Sequence, residues 1–248
     1  MIKNKLFYIT ILLLISVQFS YGQKTEINFN VYSGLFSFRG EGATSKSFIY
    51  YNDWWGPVTK YTDDPYGKGN GFSYSLEFQG QRLTKRKNIY GLGISFEDLT
   101  SKVNIDSIFE SSDLALLLKY PATGETKLKN TFITLNPFVG HRYAYHKIAI
   151  DLLAGFDLAF CMKSKEDGSA TASSTGHFNV NVDNERPKPS IDLRPRIQIK
   201  MQINKFGFLV GYSLGLSGYS TPTQYEYSTQ YSKAYTSFLR LGLSYQLK

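Results

Sequence analysis

The sequence predicts an all-β fold: an eight-stranded antiparallel transmembrane up-and-down β-barrel with four long extracellular loops and three short periplasmic turns. Three observations predict it. Long stretches alternate strictly between apolar and polar residues. The connections between those stretches alternate long and short. The polar positions are filled with small residues, the apolar ones with large residues. The clearest stretch is Ser190–Asn204. Its odd positions run from Ile191 to Ile203 and are apolar, Pro195 included; its even positions carry Asp192, Arg194, Arg196, Gln198, Lys200 and Gln202. Period two is the mark of a strand with one face in an apolar medium. Strands of soluble domains run to about 5–6 residues, whereas a tilted membrane-crossing strand needs about 9–11.

In chain order, the first strand is Thr25–Phe38, with Ile27, Phe29 and Val31 opposite Asn28, Asn30 and Gly34. The second, Gly71–Leu83, sets Phe72, Tyr74, Leu76 and Phe78 against Ser73, Ser75, Glu77 and Gln79. The third is Ile89–Leu99, the fourth Thr131–Arg142 and the fifth Ile148–Met162. Ser190–Asn204 is the sixth, Gly207–Ser217 the seventh and Lys233–Lys248 the eighth. Four long segments join them: Arg39–Asn70, Thr100–Asn130, Lys163–Pro189 and Gly218–Ser232. Within the second of these, Asp113–Tyr120 fits a short helix or a strand extension. The short connections are Thr84–Asn88, Tyr143–Lys147 and Asn204–Phe206. Outer-membrane barrels have this asymmetry of short periplasmic turns and longer extracellular loops.

A secreted soluble ligand-binding barrel is the rival, because it alternates too, with its apolar face inward. Gly91, Gly93, Gly140, Gly155, Gly211, Gly215 and Gly242 sit on the polar face. Small residues suit the narrow inside of an eight-stranded ring, which favours the membrane reading. Pro137 and Pro195 oppose it, since proline donates nothing to a ladder.

Residues 1–22 read as a signal peptide: Lys3 and Lys5, the apolar run Leu6–Val17, then Ser20-Tyr21-Gly22 ahead of a cut at Gln23. A membrane anchor helix is the alternative, but the run is short for a span of about 20 residues. The domain is then 23–248. Loss of Lys3 and Lys5 lowers the formal charge from +8 to +6, a balance that suits anionic lipid or polysaccharide and lacks the basic, aromatic-laced patch of a nucleic-acid binder. The one cysteine, Cys161, excludes an internal disulfide. It reads as a small strand residue, with a reactive thiol as the alternative.

The chemistry on offer is charge rather than catalysis. Glu77, Glu97, Asp151, Asp157 and Asp192 share the inward face with Arg194, Arg196, Lys200 and Arg240. Unpaired charges there are costly, so a paired network that plugs the lumen is expected; a path for a small anion is the alternative. Surface-binding candidates are Trp54, Trp55, Tyr61 and Tyr66 in the first long segment and Tyr225, Tyr227 and Tyr231 in the fourth, with packing at the rim as the plainer role. His141 and His146 lie at a short turn, and His177, with Asp167, Ser173, Ser174 and Asp183 near it in sequence, is the single histidine on the loop side. That is a thin basis for a lipid or peptide hydrolase. No cofactor, metal site or phosphate cradle is expected.

Four stretches resemble the PorT-like outer-membrane β-barrel family of the Bacteroidetes (outer membrane protein beta-barrel domain). They are the signal end Tyr21-Gly22-Gln23, the strand Phe132-Ile133-Thr134-Leu135-Asn136-Pro137, the glycine-centred Leu152–Phe156, and the closing Leu239–Tyr245. The chain departs from the aromatic ending common in such barrels, closing on Leu247-Lys248. The resemblance implies a barrel in the cell outer membrane, in contact with lipid and lipopolysaccharide and inserted by the barrel assembly machinery. One branch of the family serves a protein secretion system. The expected role is therefore non-enzymatic, structural or interactive, with envelope or secretion proteins or glycans as partners. The alternative is an accessory part of a secretion or envelope complex.

Overall fold

The computed structural model describes residues 24–52, 58–111, 117–173, 178–187, 189–225 and 228–248; of 117, 220–225 and 228–231 it describes the backbone. The signal segment, Trp54, Trp55, Tyr227, Ser174 and His177 lie outside the described residues. The elements are twelve strands: β1 Lys24–Arg39, β2 Lys46–Asn52, β3 Thr59–Thr62, β4 Gly69–Leu83, β5 Asn88–Ser111, β6 Leu117–Tyr145, β7 Ile148–Ala172, β8 Asn179–Glu185, β9 Ile191–Ile203, β10 Phe206–Leu214, β11 Tyr219–Tyr225 and β12 Ser228–Gln246.

Eight of these carry the predicted pattern, and their pairings form a ring. β1 pairs β4, β4 pairs β5, β5 pairs β6 and β6 pairs β7. β7 then pairs β9, β9 pairs β10, β10 pairs β12, and β12 returns to β1, every step antiparallel. Each of the eight has a neighbour on both edges, so most of its main-chain donors and acceptors are met within the sheet, as an apolar medium demands. Tight turns close one end, with Lys87, His146 and Asn204 at positive φ, the left-handed region that asparagine and histidine enter more readily than most residues.

The alternation sorts the side chains as the pattern predicts. Leu92, Ile94, Leu152, Phe156, Ile197, Ile199, Leu241 and Leu243 are exposed on the outside, while Glu77, Glu97, Asp157, Arg194 and Arg240 are buried within. The apolar face therefore points outward, opposite to a soluble ligand carrier. On β6, apart from Leu118 exposed near the strand's start, the exposed apolar residues form a continuous belt from Ile133 to Tyr145. That is about 40 Å of strand, or about 30 Å of height at a tilt of about 40°.

The structure departs from the expected loops. Thr100–Asn130 is mostly the upper halves of β5 and β6, paired from Thr100↔Lys129 to Ser111↔Leu117. Lys163–Pro189 holds the upper part of β7 and all of β8. Arg39–Asn70 contains β2 and β3, and Gly218–Ser232 contains β11 and the start of β12. Of Asp113–Tyr120, the described part, from Leu117 on, is strand. Where β4 leaves the edge of β5 at Lys102, β2 takes that edge in parallel from Asn104. Where β9 leaves the edge of β7 at Phe160, β8 takes it from Lys165. Six strands in the order β3-β2-β5-β6-β7-β8 thus continue above the ring around their own core of Ile49, Val103, Ile105, Ile108, Val180 and Val182. Their free edges, β3 and β8, are joined by side chains. Asn184 donates to Lys60 O, Arg186 to Thr62 O, and Thr62 N donates to Glu166 Oε1 at 3.1 Å.

Both prolines find a place, and both adjoin Phe156. Pro195 pairs with Phe156 on β7 and lies one residue beyond the last β9–β10 pair, Arg196↔Ser213. The β6–β7 register skips from Leu135↔Leu158 to Phe138↔Gly155, leaving Asn136 and Pro137 in the gap. There Asn136 Nδ2 donates to Phe156 O at 3.1 Å and to Asp157 Oδ1 at 2.9 Å. A side-chain amide supplies the donor that proline lacks. Asn136→Leu takes the donor from the part-buried Phe156 O and the buried Asp157 carboxylate and lowers stability by about 1–3 kcal/mol. Urea unfolding in vesicles measures this, and a loss below about 0.5 kcal/mol would reject the bridging role.

Candidate functional site in the ring interior

The inward face carries two clusters of ion pairs. At its centre Arg240 Nη2 lies 3.0 Å from Glu97 Oε1 and 2.6 Å from Asp157 Oδ2. Glu97 Oε2 also accepts from Arg194 Nη1 at 2.8 Å, and Arg194 Nε donates to Asp192 at 2.8 Å. Asp157 reaches Arg196 at 3.4 Å, and Arg196 reaches Glu77 at 3.2 Å. The Tyr32 hydroxyl donates to Glu77 at 2.5 Å, and Thr236 to Asp192 at 2.7 Å. Each partner sits on a different strand or two residues along the same one, so the network ties β1, β4, β5, β7, β9 and β12 across the lumen.

A second cluster lies nearer the turns. Arg142 donates both Nη atoms to the Glu26 carboxylate at 2.8 Å, and Nε and Nη2 to Asp151 at 2.5 and 2.8 Å. Lys200 Nζ donates to Asn28 Oδ1 at 2.9 Å. Glycines make room for these long side chains: a methyl at Gly93 would stand 2.5 Å from Glu77 Oε1, and one at Gly242 2.6 Å from the Tyr32 ring.

Above the ions lies an aromatic layer of Phe36, Phe38, Tyr66, Phe132, Tyr219 and Phe238, joined by Leu99, Leu128, Ala159 and Cys161. The Arg194 and Arg240 guanidinium groups lie 4.3 and 4.6 Å from the Phe132 and Phe238 ring centres. Cation–π attraction accounts for Arg194 Nη2 and for Arg240 Nε and Nη1, buried donors with no hydrogen-bond acceptor among the described residues. A cavity of about 10 Å³ beside Gln79, Asn136, Arg196 and Gln198 has room for about one water. Chemically, the arrangement holds the strands together.

The nine predicted interior charges all face inward and are buried. The network also contains Glu26 and Arg142, which the sequence reading left out. Both share parity with inward neighbours, Glu26 with Asn28 and Arg142 with Phe132 and Asn136, and that parity was the available signal. Within the network Glu77 and Asp157 take Arg196, Arg194 takes Glu97 and Asp192, and Asp151 takes Arg142. Tyr66 is corrected from the surface to the interior, where it packs 5.1 Å from Phe38 and 5.6 Å from Tyr219. Tyr61 is half-buried above the ring, 5.2 Å from Tyr50 and beneath Arg186 at 5.5 Å. Of Tyr225 and Tyr231 the backbone is described; they pair with Ser228 and Pro222. His141 and His146 sit at the turn end, His141 Nδ1 at 3.0 Å from Asn88 Oδ1.

Charges in the upper strands are also paired. Lys129 meets Asp98 at 2.9 Å and Lys102 meets Glu125 at 3.1 Å. Its hydrogen bond to Asp183 holds the Lys165 ammonium above its ordinary range. Burial, and then the nearby Asp64 carboxylate, raise the Asp63 carboxyl above its ordinary range, against Arg186.

No family model and no curated protein matches the chain. Among solved structures it is similar to Ail, the attachment invasion locus protein of Yersinia pestis, in complex with the heparin analogue sucrose octasulfate (12% identity, 90% of this chain and 99% of that one, TM-score 0.34). It is similar as well to Neisserial surface protein A (5%, 90% and 98%, 0.36) and to the outer membrane protease OmpT of Escherichia coli (9%, 92% and 97%, 0.36). Identities of 5–12% and TM-scores no higher than 0.36 place the chain in none of their families.

Proposed function

We propose that this chain is an integral outer-membrane protein. Its eight-stranded barrel is a sealed anchor, and its upper six strands are a surface for interaction. One observation carries the reading: exposed large apolar residues cover the outside of all eight ring strands while the charges lie inside. Soluble monomers rarely expose contiguous apolar patches above a few hundred Å². A belt of this height asks for lipid. The sealed lumen argues for an anchor over a channel, since ions, aromatics and the upper core fill it in succession. The upper strands have a hydrophobic core of their own, which a passive loop does not need, so a partner in the envelope or secretion apparatus, or a glycan, fits there. The kinship to PorT-like barrels rests on the sequence stretches that carry it.

The test is fractionation followed by reconstitution. The protein should travel with the outer membrane, migrate faster on gels unboiled than boiled, and give no steady conductance in planar bilayers. Recovery from the soluble periplasm would end the membrane reading. Steady pores would end the sealed-anchor reading.

A further inference from the structure

The ring is electrically lopsided. Arg82, Lys85, Arg86 and Lys87 at the first turn, Lys147 at the second and Lys205 at the third are all exposed. The carboxylates nearest that end, Glu26 and Asp151, are buried against Arg142. The opposite boundary of the belt also has lysines, but there Lys102, Lys127, Lys129 and Lys165 lie 2.7–3.7 Å from Glu125, Asp98 and Asp183. Arg39, Lys46, Lys68, Lys163 and Lys233 are exposed at that end as well, but so are Glu41, Asp106, Asp167, Asp183 and Glu185; its charge is mixed, whereas that of the turns is positive.

The height of that positive charge relative to the belt defines the ligand. Tyr143, Tyr145 and Phe206 are 57–75% exposed and form the lower rim of the apolar face. Lys147 is two residues from Tyr145, and Lys205 adjoins Phe206. Exposed aromatics of this kind sit at the level of lipid headgroups. Cations one or two residues beyond them stand in the phosphate plane, where lysine and arginine side chains reach anionic lipid.

We propose that the turn end is a binding surface for anionic phospholipid headgroups of the leaflet it faces. The proposal rests on the membrane reading above and adds a lipid preference to it. Three turns and no exposed Asp or Glu side chain among the described residues of that end make a ring of cations. Such a ring holds a shell of phosphate-bearing lipid around the barrel's lower rim and fixes its depth. A carboxylate-rich cell wall is the competing polyanion, but the aromatic rim puts these cations at headgroup level, against the bilayer.

The experiment uses the full chain in phosphatidylcholine vesicles containing a trace of spin-labelled phosphatidylglycerol or spin-labelled phosphatidylcholine. The fraction of each label immobilised at the protein is read by electron spin resonance. The wild type should favour phosphatidylglycerol by about threefold or more at low salt and lose the preference in about 1 M salt. The variant R82Q/K85Q/R86Q/K87Q/K147Q/K205Q should show none. Exchange of Lys85, Lys87, Lys147 and Lys205 for arginine should retain it, as should K102Q/K127Q/K129Q/K165Q at the opposite end. Equal immobilisation of the two labels by the wild type overturns the proposal, and so does loss of preference with the opposite-end variant alone. Turn-dependent sedimentation with peptidoglycan without lipid preference assigns the surface to the cell wall instead. Heat-modifiable migration is measured on every sample. A wild type that never inserts defeats the membrane reading, whereas insertion without preference defeats this inference alone.

Discussion

Arg240→Leu lowers the unfolding free energy by about 3–5 kcal/mol, the usual cost of breaking a buried pair by removing one partner. Arg240 joins two carboxylates, Glu97 and Asp157, and all three side chains are at most 1% exposed. Leucine fills much of the space and supplies no charge. Glu97 then keeps Arg194, and Asp157 keeps Arg196 at 3.4 Å and Asn136 at 2.9 Å. The centre of the network, already carrying four carboxylates against three guanidinium groups, loses one cation more. Urea titration of the protein folded into vesicles measures the change. Conductance is a second readout, and it should stay silent. On the proposed reading the aromatic layer above, with Phe132 and Phe238 fully buried, keeps the lumen closed independently of the ions. A loss below about 1 kcal/mol would mean that water reaches the network and screens it, and the sealed interior would have to be abandoned.

The parity of the eight ring strands was legible because lipid and lumen impose opposite demands at every second residue. Ser190–Asn204 states those demands in full, and β9 follows it almost to the residue, Ile191–Ile203. The inward position of the charges came from the same parity. Their pairing did not, because which strands face each other across the lumen depends on the stagger of the closed ring, and no single strand encodes that. Arg194 therefore finds Glu97 on β5, and Asp151 is taken by Arg142, which reads as a strand end. The upper strands were illegible for a different reason. Above the belt the contrast on β5 reverses, with Val103 and Ile105 buried and Asn104 and Asp106 exposed, and in Gly168–Ala172 of β7 both faces are small or polar, so the apolar-outward pattern that marks a membrane strand disappears. Tyr66 misled in a third way. It lies among Gly, Asp and Pro residues that read as an exposed loop, but Gly67 O accepts from Phe38 N at 2.8 Å. That bond draws the segment back to β1, and Tyr66 lands in the aromatic layer.

The outer face gives the sharpest test of what surrounds the ring. Ile191, Ile197 and Ile203 lie on one side of β9, at 47%, 64% and 45% exposure. In water, arginine at any of the three would change stability by about 0.5 kcal/mol or less, as exposed substitutions do. In a bilayer the cost depends on depth: about 2–4 kcal/mol for arginine at the midplane and about 0–1 near either interface. Ile197 is the central residue of the three, paired with Ala154 and Tyr212 on the neighbouring strands. Ile197→Arg should therefore be the costly change, with Ile191→Arg and Ile203→Arg well below it. Urea unfolding from vesicles measures all three, and the shape of the profile matters more than its size. Damage to packing alone would scale with burial, and Ile197 is the most exposed of the three, so packing predicts its cost to be the smallest. Lipid predicts the largest. A profile peaked at Ile197 needs an apolar medium of finite thickness centred on that residue; a flat one would leave the ring in water and remove the outer-membrane assignment.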